Sequence, residues 1–260
     1  MPRKAFVEIP EGQIYYETEG SGPDLLLLHQ GGLSSFEYSR MMPILARRYR
    51  VTARDMMGQG NSELKKASPN ITDYALADIN FMKAVGISKA AVMGIHTSAQ
   101  VAAEIALNRP EMVDKLIFYG LPSFAPDVRE ACINSYSFGP VEVKPDGSHL
   151  TGRVWKTLSR LGRHLSPEDL NKVVLEAARA PGGTFTPLQA CFRWQEEERV
   201  PLIKQPCLLL SGTDDVFHPR YEFARKLLKN YKTVVFENAD DFAALEIPDK
   251  MAQAIIDFLG

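Results

Sequence analysis

No stretch of about 18 apolar residues occurs in this 260-residue chain, so no membrane-spanning helix is expected. The first thirty residues hold Glu8, Glu11, Glu17 and Glu19 and no apolar run of signal-peptide length. Cysteine is scarce. Cys132, Cys191 and Cys207 are odd in number and scattered, mostly in apolar surroundings, which argues against a disulfide framework and for buried thiols in a reducing compartment. A cytoplasmic protein is expected. Neither sign of charge is in excess: the formal net charge is −2, and no basic run exceeds the pairs Arg47-Arg48 and Lys65-Lys66. Nucleic acid and anionic membrane therefore have no electrostatic footprint to bind. Internal repeats and low-complexity segments are also lacking. The expected partner is a small molecule, and a monomer and a homo-oligomer both remain open.

With 45% hydrophobic side chains, the chain is long enough for one large α/β domain with a substantial core. Two short strands are expected near 5–9 and 13–18, joined through Pro10-Glu11-Gly12 as a hairpin turn. Buried strands at 25–28, 51–55, 91–93 and 115–119 then alternate with helices expected at 36–47, 72–84 and 97–108. That rhythm predicts a mostly parallel, doubly covered central sheet. After Gly120 it changes. Residues 122–200 offer no comparable buried strand but show helical patterns at 127–136, 152–161, 167–178 and 186–198. The strand pattern resumes at 207–211 and 232–236, with helices at 221–229 and 248–259. The expected organisation is a core of 1–121 and 201–260 with a helical cap, 122–200, inserted in it.

Gly94-Ile95-His96-Thr97-Ser98 lies between the apolar strand Ala91-Val92-Met93 and a helical pattern of Val101, Ala102, Ile105 and Ala106 that stops at Asn108-Arg109-Pro110. Such a strand–turn–helix elbow lifts its middle side chain into a pocket and aims the next backbone N–H, here that of Thr97, at developing negative charge. Leu25 to Leu28 open into His29-Gln30-Gly31-Gly32. Val51 to Asp55 are followed by Gly58-Gln59-Gly60-Asn61-Ser62, and Pro206 to Ser211 by Gly212-Thr213-Asp214-Asp215. Together these motifs resemble the α/β-hydrolase superfamily essentially end to end, which implies the α/β-hydrolase fold with a sheet of about eight strands. The resemblance implies an oxyanion hole from the N–H groups of Gly31 or Gly32 and of Thr97, and an orienting carboxylate at Asp215.

Two positions depart from that pattern. The elbow tip, a serine in the family, is His96, and the slot of the family's catalytic histidine, before Phe242 and seven residues before Pro248, holds Asp241. None of the five histidines lies beyond His218, so no slip of register restores a Ser-His-Asp triad. The catalytic set expected is His96, Asp215 and Asp241. His96, oriented by a carboxylate, would act by general acid/base chemistry on an ester, thioester or lactone, with backbone N–H groups holding the oxyanion. A lyase, decarboxylase or cyclase on the same scaffold, and a binding protein that has lost its reaction, are the alternatives.

Gln30, His149 and Phe242 are the expected substrate contacts, although His149, in the turn Lys144 to Leu150, reads more readily as a solvent-facing side chain. Trp155, Phe185, Phe192 and Trp194 read as pocket wall or as cap core. Ser98 is assigned to packing at the helix start and His29 to support of its loop. Asp214 is given a capping or orienting role, and Asp240 an exposed place. His96, Asp215 and Asp241 also make a plausible ligand set for zinc or manganese, but no H-x-x-x-H pair or Cys/His cluster supports one, so no metal and no cofactor are expected.

Overall fold

Leu25 to Leu28 mark the centre of the fold: all four are inaccessible to solvent, Leu26 and Leu28 packing on one side of the sheet and Leu25 and Leu27 on the other. A run with no polar face requires cover on both sides, and each buried leucine stabilises the fold by about 1.5–3 kcal/mol. The computed structural model describes residues 1–135, 142–180, 183 and 186–260. Phe185, and Tyr136 at the end of one expected helix, lie outside them.

The strands are β1 (Arg3–Ile9), β2 (Gly12–Glu19), β3 (Asp24–Leu28), β4 (Arg50–Arg54), β5 (Ala90–Ile95), β6 (Val113–Tyr119), β7 (Cys207–Gly212) and β8 (Tyr231–Phe236). They form one eight-stranded sheet in the order β1-β2-β4-β3-β5-β6-β7-β8. The pairings of β2 with β1 and β4 are antiparallel and the others parallel. The chain order reverses between β3 and β5, and a crevice at the carboxyl ends of the strands is the usual place for a ligand in such a sheet. The residues that follow β3, β5, β7 and β8 there are Gln30, His96, Asp215 and Asp241.

The helices Ile71–Ala84 and Thr97–Asn108 cover one face, and Pro248–Leu259 the other. Ile71–Ala84 starts at a reciprocal box in which Asn70 and Asp73 each accept the other's backbone N–H, at 2.9 and 2.8 Å. The helix expected at 36–47 is instead two pieces, a 3₁₀ turn Ser35–Tyr38 and a short helix Met42–Leu45. Pro43 is the reason. It has no N–H to donate and its ring crowds the preceding turn, so it starts a helix rather than continuing one.

Between β6 and β7 the chain forms the helices Pro126–Ser135, Lys156–Leu161, Pro167–Ala178, Thr186–Arg193 and Glu196–Arg199, with a π-helical stretch His149–Trp155 before the second. Val154, Leu158, Leu170, Val173, Val174 and Ala177 of this segment pack on Leu33, Phe242 and Leu245. Polar contacts fasten its edge to the rest. Arg40 holds Asp169 with both carboxylate oxygens, at 2.8 and 2.7 Å, and Ser34 Oγ donates to Glu176 at 2.6 Å. His164 Nε2 meets Asp214 at 2.7 Å, which gives Asp214 its role. No helix of the described residues is long and apolar enough to cross a membrane.

An ion pair ties the sheet to one of its helices within the core. Arg54, at the end of β4 and 1% exposed, meets Asp78 of the helix Ile71–Ala84 in a two-pronged contact at 2.6 and 2.7 Å. Removing one partner leaves the other charge buried and unpaired, which typically costs about 3–5 kcal/mol. Asp78→Ala is therefore expected to lower the urea unfolding free energy by about that amount, with the exposed pair variant Lys89→Ala changing it by less than about 1 kcal/mol.

Candidate active site

His96 stands at the tip between β5 and the helix Thr97–Asn108 with φ +49° and ψ −120°. A positive φ is rare for a residue with a β-carbon, and strain of this kind, about 1–3 kcal/mol, persists only where the surroundings enforce it. They do so here through two glycines. A β-carbon at Gly94 would collide with the Ser98 carbonyl, and one at Gly120 would lie 2.6 Å from His96 Nε2. Gly120 thus makes the space into which the imidazole leans.

Both ring nitrogens of His96 are engaged. Nε2 lies 2.7 Å from Asp215 Oδ2, and Nδ1 lies 3.1 Å from Gln30 Oε1. The orientation of the Gln30 amide is fixed by its other end, because Nε2 donates to Glu37 Oε1 at 2.6 Å and to the Asp241 carbonyl at 3.0 Å. Glu37 also accepts the Gln30 backbone N–H at 2.9 Å. With Oε1 turned toward the ring, Nδ1 must donate, and the Asp215 carboxylate requires the same of Nε2. His96 is therefore an imidazolium. Burial opposes that charge, but the field and hydrogen bond of Asp215, with Asp241 and Glu37 behind it, raise the pKa to about 9.

Asp241 lies in the same group, its ligand atom within 4.8 Å of those of His96 and Asp215. It makes no hydrogen bond to the ring. Oδ2 accepts the Val216 N–H at 3.3 Å, while Oδ1 is buried without a partner among the described residues. Burial first, and Asp215 in addition, push its pKa up to about 7 against the pull of His96. Glu37, wholly buried, is raised to about 7 by burial despite the Gln30 bonds. The His96, Asp215 and Asp241 donors are the set able to hold a metal ion among the described residues.

A cavity of about 280 Å³ opens over this group. His96, Asp241, Thr97, Gly31 and Gln30 form its floor, and Phe124, Leu158, Leu188, Phe192, Phe217 and Phe242 its apolar walls. Phe217 meets the His96 ring edge-on at 4.9 Å. Thr97 is the first helical residue, so its N–H has no intrahelical acceptor, and the Gly31 N–H has no partner among the described residues.

Several expected residues prove to be placed differently. Gly32 donates its N–H to Gln59 Oε1 at 3.1 Å, leaving Gly31 as the free donor of that loop. Gln30 borders the cavity, but its amide is spent on His96, Glu37 and Asp241. His149 lies outside the cavity wall, accepting the Lys144 N–H at 3.1 Å in its own turn, as a solvent-facing reading implies. Asp240 is fully buried rather than exposed, because the Phe242 and His164 backbone N–H groups turn its carboxylate inward at 2.9 and 3.2 Å. Trp194 is buried and donates to Glu104 at 2.8 Å, and Trp155 is exposed, so of Trp155, Phe192 and Trp194 only Phe192 lines the cavity, where it joins the expected contact Phe242.

Two further residues hold the floor in place. Ser98 Oγ donates to the His29 carbonyl at 2.5 Å, which commits it to the helix start. His29 accepts the Met56 N–H on Nε2 at 2.8 Å and donates from Nδ1 to the Gln30 carbonyl at 2.7 Å. Burial, with Arg54 nearby, lowers its pKa to about 3, so it is neutral. Glu37 had no sequence signal of its own, since Ser34-Ser35-Phe36-Glu37 reads as a helix start.

Comparison with known proteins bears on the fold and the family. The family described as alpha/beta hydrolase fold matches residues 23–248. An uncharacterized protein of Mycobacterium tuberculosis is 29% identical over 113 residues, 44% of this chain and 33% of that one, so the chain spans about a third of that relative's length. A 2-hydroxy-6-oxo-6-(2'-aminophenyl)hexa-2,4-dienoic acid hydrolase of Metapseudomonas resinovorans is 24% identical over 275 residues, 98% of this chain and 90% of that one. The crystal structure of the enol-lactonase from Burkholderia xenovorans LB400 superposes with a TM-score of 0.83 at 16% identity, covering 98% and 99% of the two chains. That likeness is one of fold.

The protonation of His96 is directly measurable. Nitrogen-15 NMR at pH 7 is expected to show both ring nitrogens protonated, and Asp215→Asn to lower the titration midpoint by about 1 unit or more. Because the folded pKa lies above the usual 6.5, His96 contributes stability that is complete below about 6.5 and lost as pH rises through about 9. The melting temperature is expected to fall between pH 7 and 10, and to fall less in His96→Gln. His29 has the opposite sign: its contribution is present above about 6.5 and lost as pH falls toward about 3.

Proposed function

This chain belongs to the alpha/beta hydrolase fold family, and from that premise we propose that it is a hydrolase-type enzyme acting on a small ester, thioester or lactone without a serine nucleophile. The observation that carries the reading is the pairing of an imidazolium at the elbow with a carboxyl group, Asp241, that faces the cavity and titrates near neutrality. The relatives support the reaction type, since one is named a dienoic acid hydrolase and a structural neighbour an enol-lactonase. The role of base, expected of His96, passes to Asp241 in this reading. A ring with both nitrogens donating has no lone pair to offer, whereas Asp241 Oδ1 is unpartnered.

The steps follow from those positions. Asp241, ionised, takes a proton from a water molecule as its oxygen bonds to the carbonyl carbon. The carbonyl oxygen becomes an oxyanion held by the N–H groups of Thr97 and Gly31. As the tetrahedral intermediate collapses, the bond to the leaving oxygen or sulfur breaks, and protonated Asp241 returns its proton to that atom. The His96 cation offsets the Asp215 charge and stabilises the ionised form of Asp241. Glu37 acts through Gln30, keeping the amide turned so that the ring stays doubly protonated. The described residues of 122–200 serve as a cap that roofs the pocket and selects the acyl group.

Hydrolysis of p-nitrophenyl esters, acyl thioesters and lactones, compared across wild type, Asp241→Asn and His96→Gln, tests the proposal. Asp241→Asn is expected to lower kcat/KM by about 10²- to 10⁴-fold. In the wild type, kcat/KM is expected to rise through about pH 7 as Asp241 ionises and to fall through about pH 9 as His96 loses its proton, the upper limb vanishing in His96→Gln. Undiminished turnover by Asp241→Asn would overturn the assignment of the base. A folded wild-type protein inert toward the whole panel would favour the binding-protein reading.

A further inference from the structure

Arg220 and Ser123 line the cavity side by side, and neither belongs to the group around His96. Arg220 Nε donates to the Ser123 carbonyl at 3.3 Å, and its guanidinium lies over the Phe223 ring at 5.2 Å. Those two contacts fix the fork and leave the terminal N–H groups without an acceptor among the described residues, although the side chain is half-buried. No carboxylate of the described chain lies within salt-bridge distance of it. Ser123 is fully buried, and its hydroxyl also has no partner among the described residues. A buried hydroxyl left unpaired costs free energy, as does a half-buried guanidinium without a counter-charge. Two such groups on one cavity wall form a site built for something absent from the chain.

We propose that Arg220 and Ser123 form a subsite for a carboxylate borne by the substrate, the acid group docking there while the carbonyl to be attacked lies over His96 and Asp241. The inference rests on the reading of this cavity as a substrate site. A guanidinium fork matches a carboxylate with two parallel hydrogen bonds. A monoanion fits better than a phosphate dianion, because Asp241 shares the cavity and Asp215 lies just behind its floor. Arg160, exposed at the rim and without a carboxylate partner among the described residues, adds to the positive field on the approach. Phe124, Phe192 and Phe217 pack edge to face in the wall of the same cavity, offering an apolar surface for the body of the ligand.

The test is a binding measurement with unreactive probes, so it does not depend on turnover. Isothermal titration of wild type, Arg220→Gln and Ser123→Ala with 4-phenylbutyrate and with 4-phenylbutanamide compares an acid with its neutral analogue. The wild type is expected to prefer the acid by about tenfold or more, a gap of about 1.4 kcal/mol. Arg220→Gln is expected to erase the preference by weakening the acid alone, and Ser123→Ala to reduce it. Equal binding of the two probes, no binding of either, or a preference that survives Arg220→Gln would each overturn the subsite. A protein that prefers the acid yet hydrolyses nothing would keep the subsite and sink the hydrolase reading, so the two failures are distinguishable.

Discussion

The hydrogen-bonded pair of His96 and Asp215 governs the chemistry available to this fold. An aspartate buried behind the floor of an apolar cavity must be matched by a cation or a proton, and among the described residues no arginine or lysine reaches it. The imidazole at the elbow supplies the charge from 2.7 Å away. Once it has done so, the ring belongs to the electrostatics of the floor rather than to the pool of nucleophiles. Around it lie the glutamine turned to accept a second ring proton, the glutamate that turns it, and the second aspartate, held near neutrality first by burial and then by the charge of Asp215.

This arrangement redistributes the parts that the family usually arranges in series. The elbow keeps its strained backbone and the orphan N–H of the following helix, while its tip carries a fixed positive charge. The turn after β8 carries Asp241 where the resemblance implies an imidazole, so in the reaction proposed above the proton moves between oxygens. Hydrogen bonds fix the ring rigidly at both nitrogens, and preorganised charge of this kind does not have to reorient as negative charge develops on a substrate.

Where one residue pattern had one physical reading, the sequence was legible. The helix Thr97–Asn108 has small side chains at helical spacing and a stop at Pro110, and it forms with the expected bounds, as does Pro248–Leu259. The strand run Leu25 to Leu28 and the elbow are likewise where expected. Illegible were the features set by contacts across the fold. Ser34 to Glu37 carries the signature of a helix cap, and only the proximity of Gln30 turns Glu37 inward. Gly32 resembles a free donor until Gln59, twenty-seven residues on, accepts its N–H. Asp240 beside Asp241 reads as exposed, yet backbone donors from two segments bury it. Hydropathy carries no information about which polar groups will find one another.

The roof over the cavity is joined to its base in two different ways. An apolar patch around Phe242 and Leu245 lies at the centre of the seam, and charged or polar contacts from Arg40, Ser34 and Asp214 lie along its edge. Added salt screens the edge contacts within a Debye length of about 8–10 Å at moderate ionic strength, but leaves the apolar centre intact or strengthened. Ionic strength therefore weakens the charged contacts of this seam and spares its apolar ones.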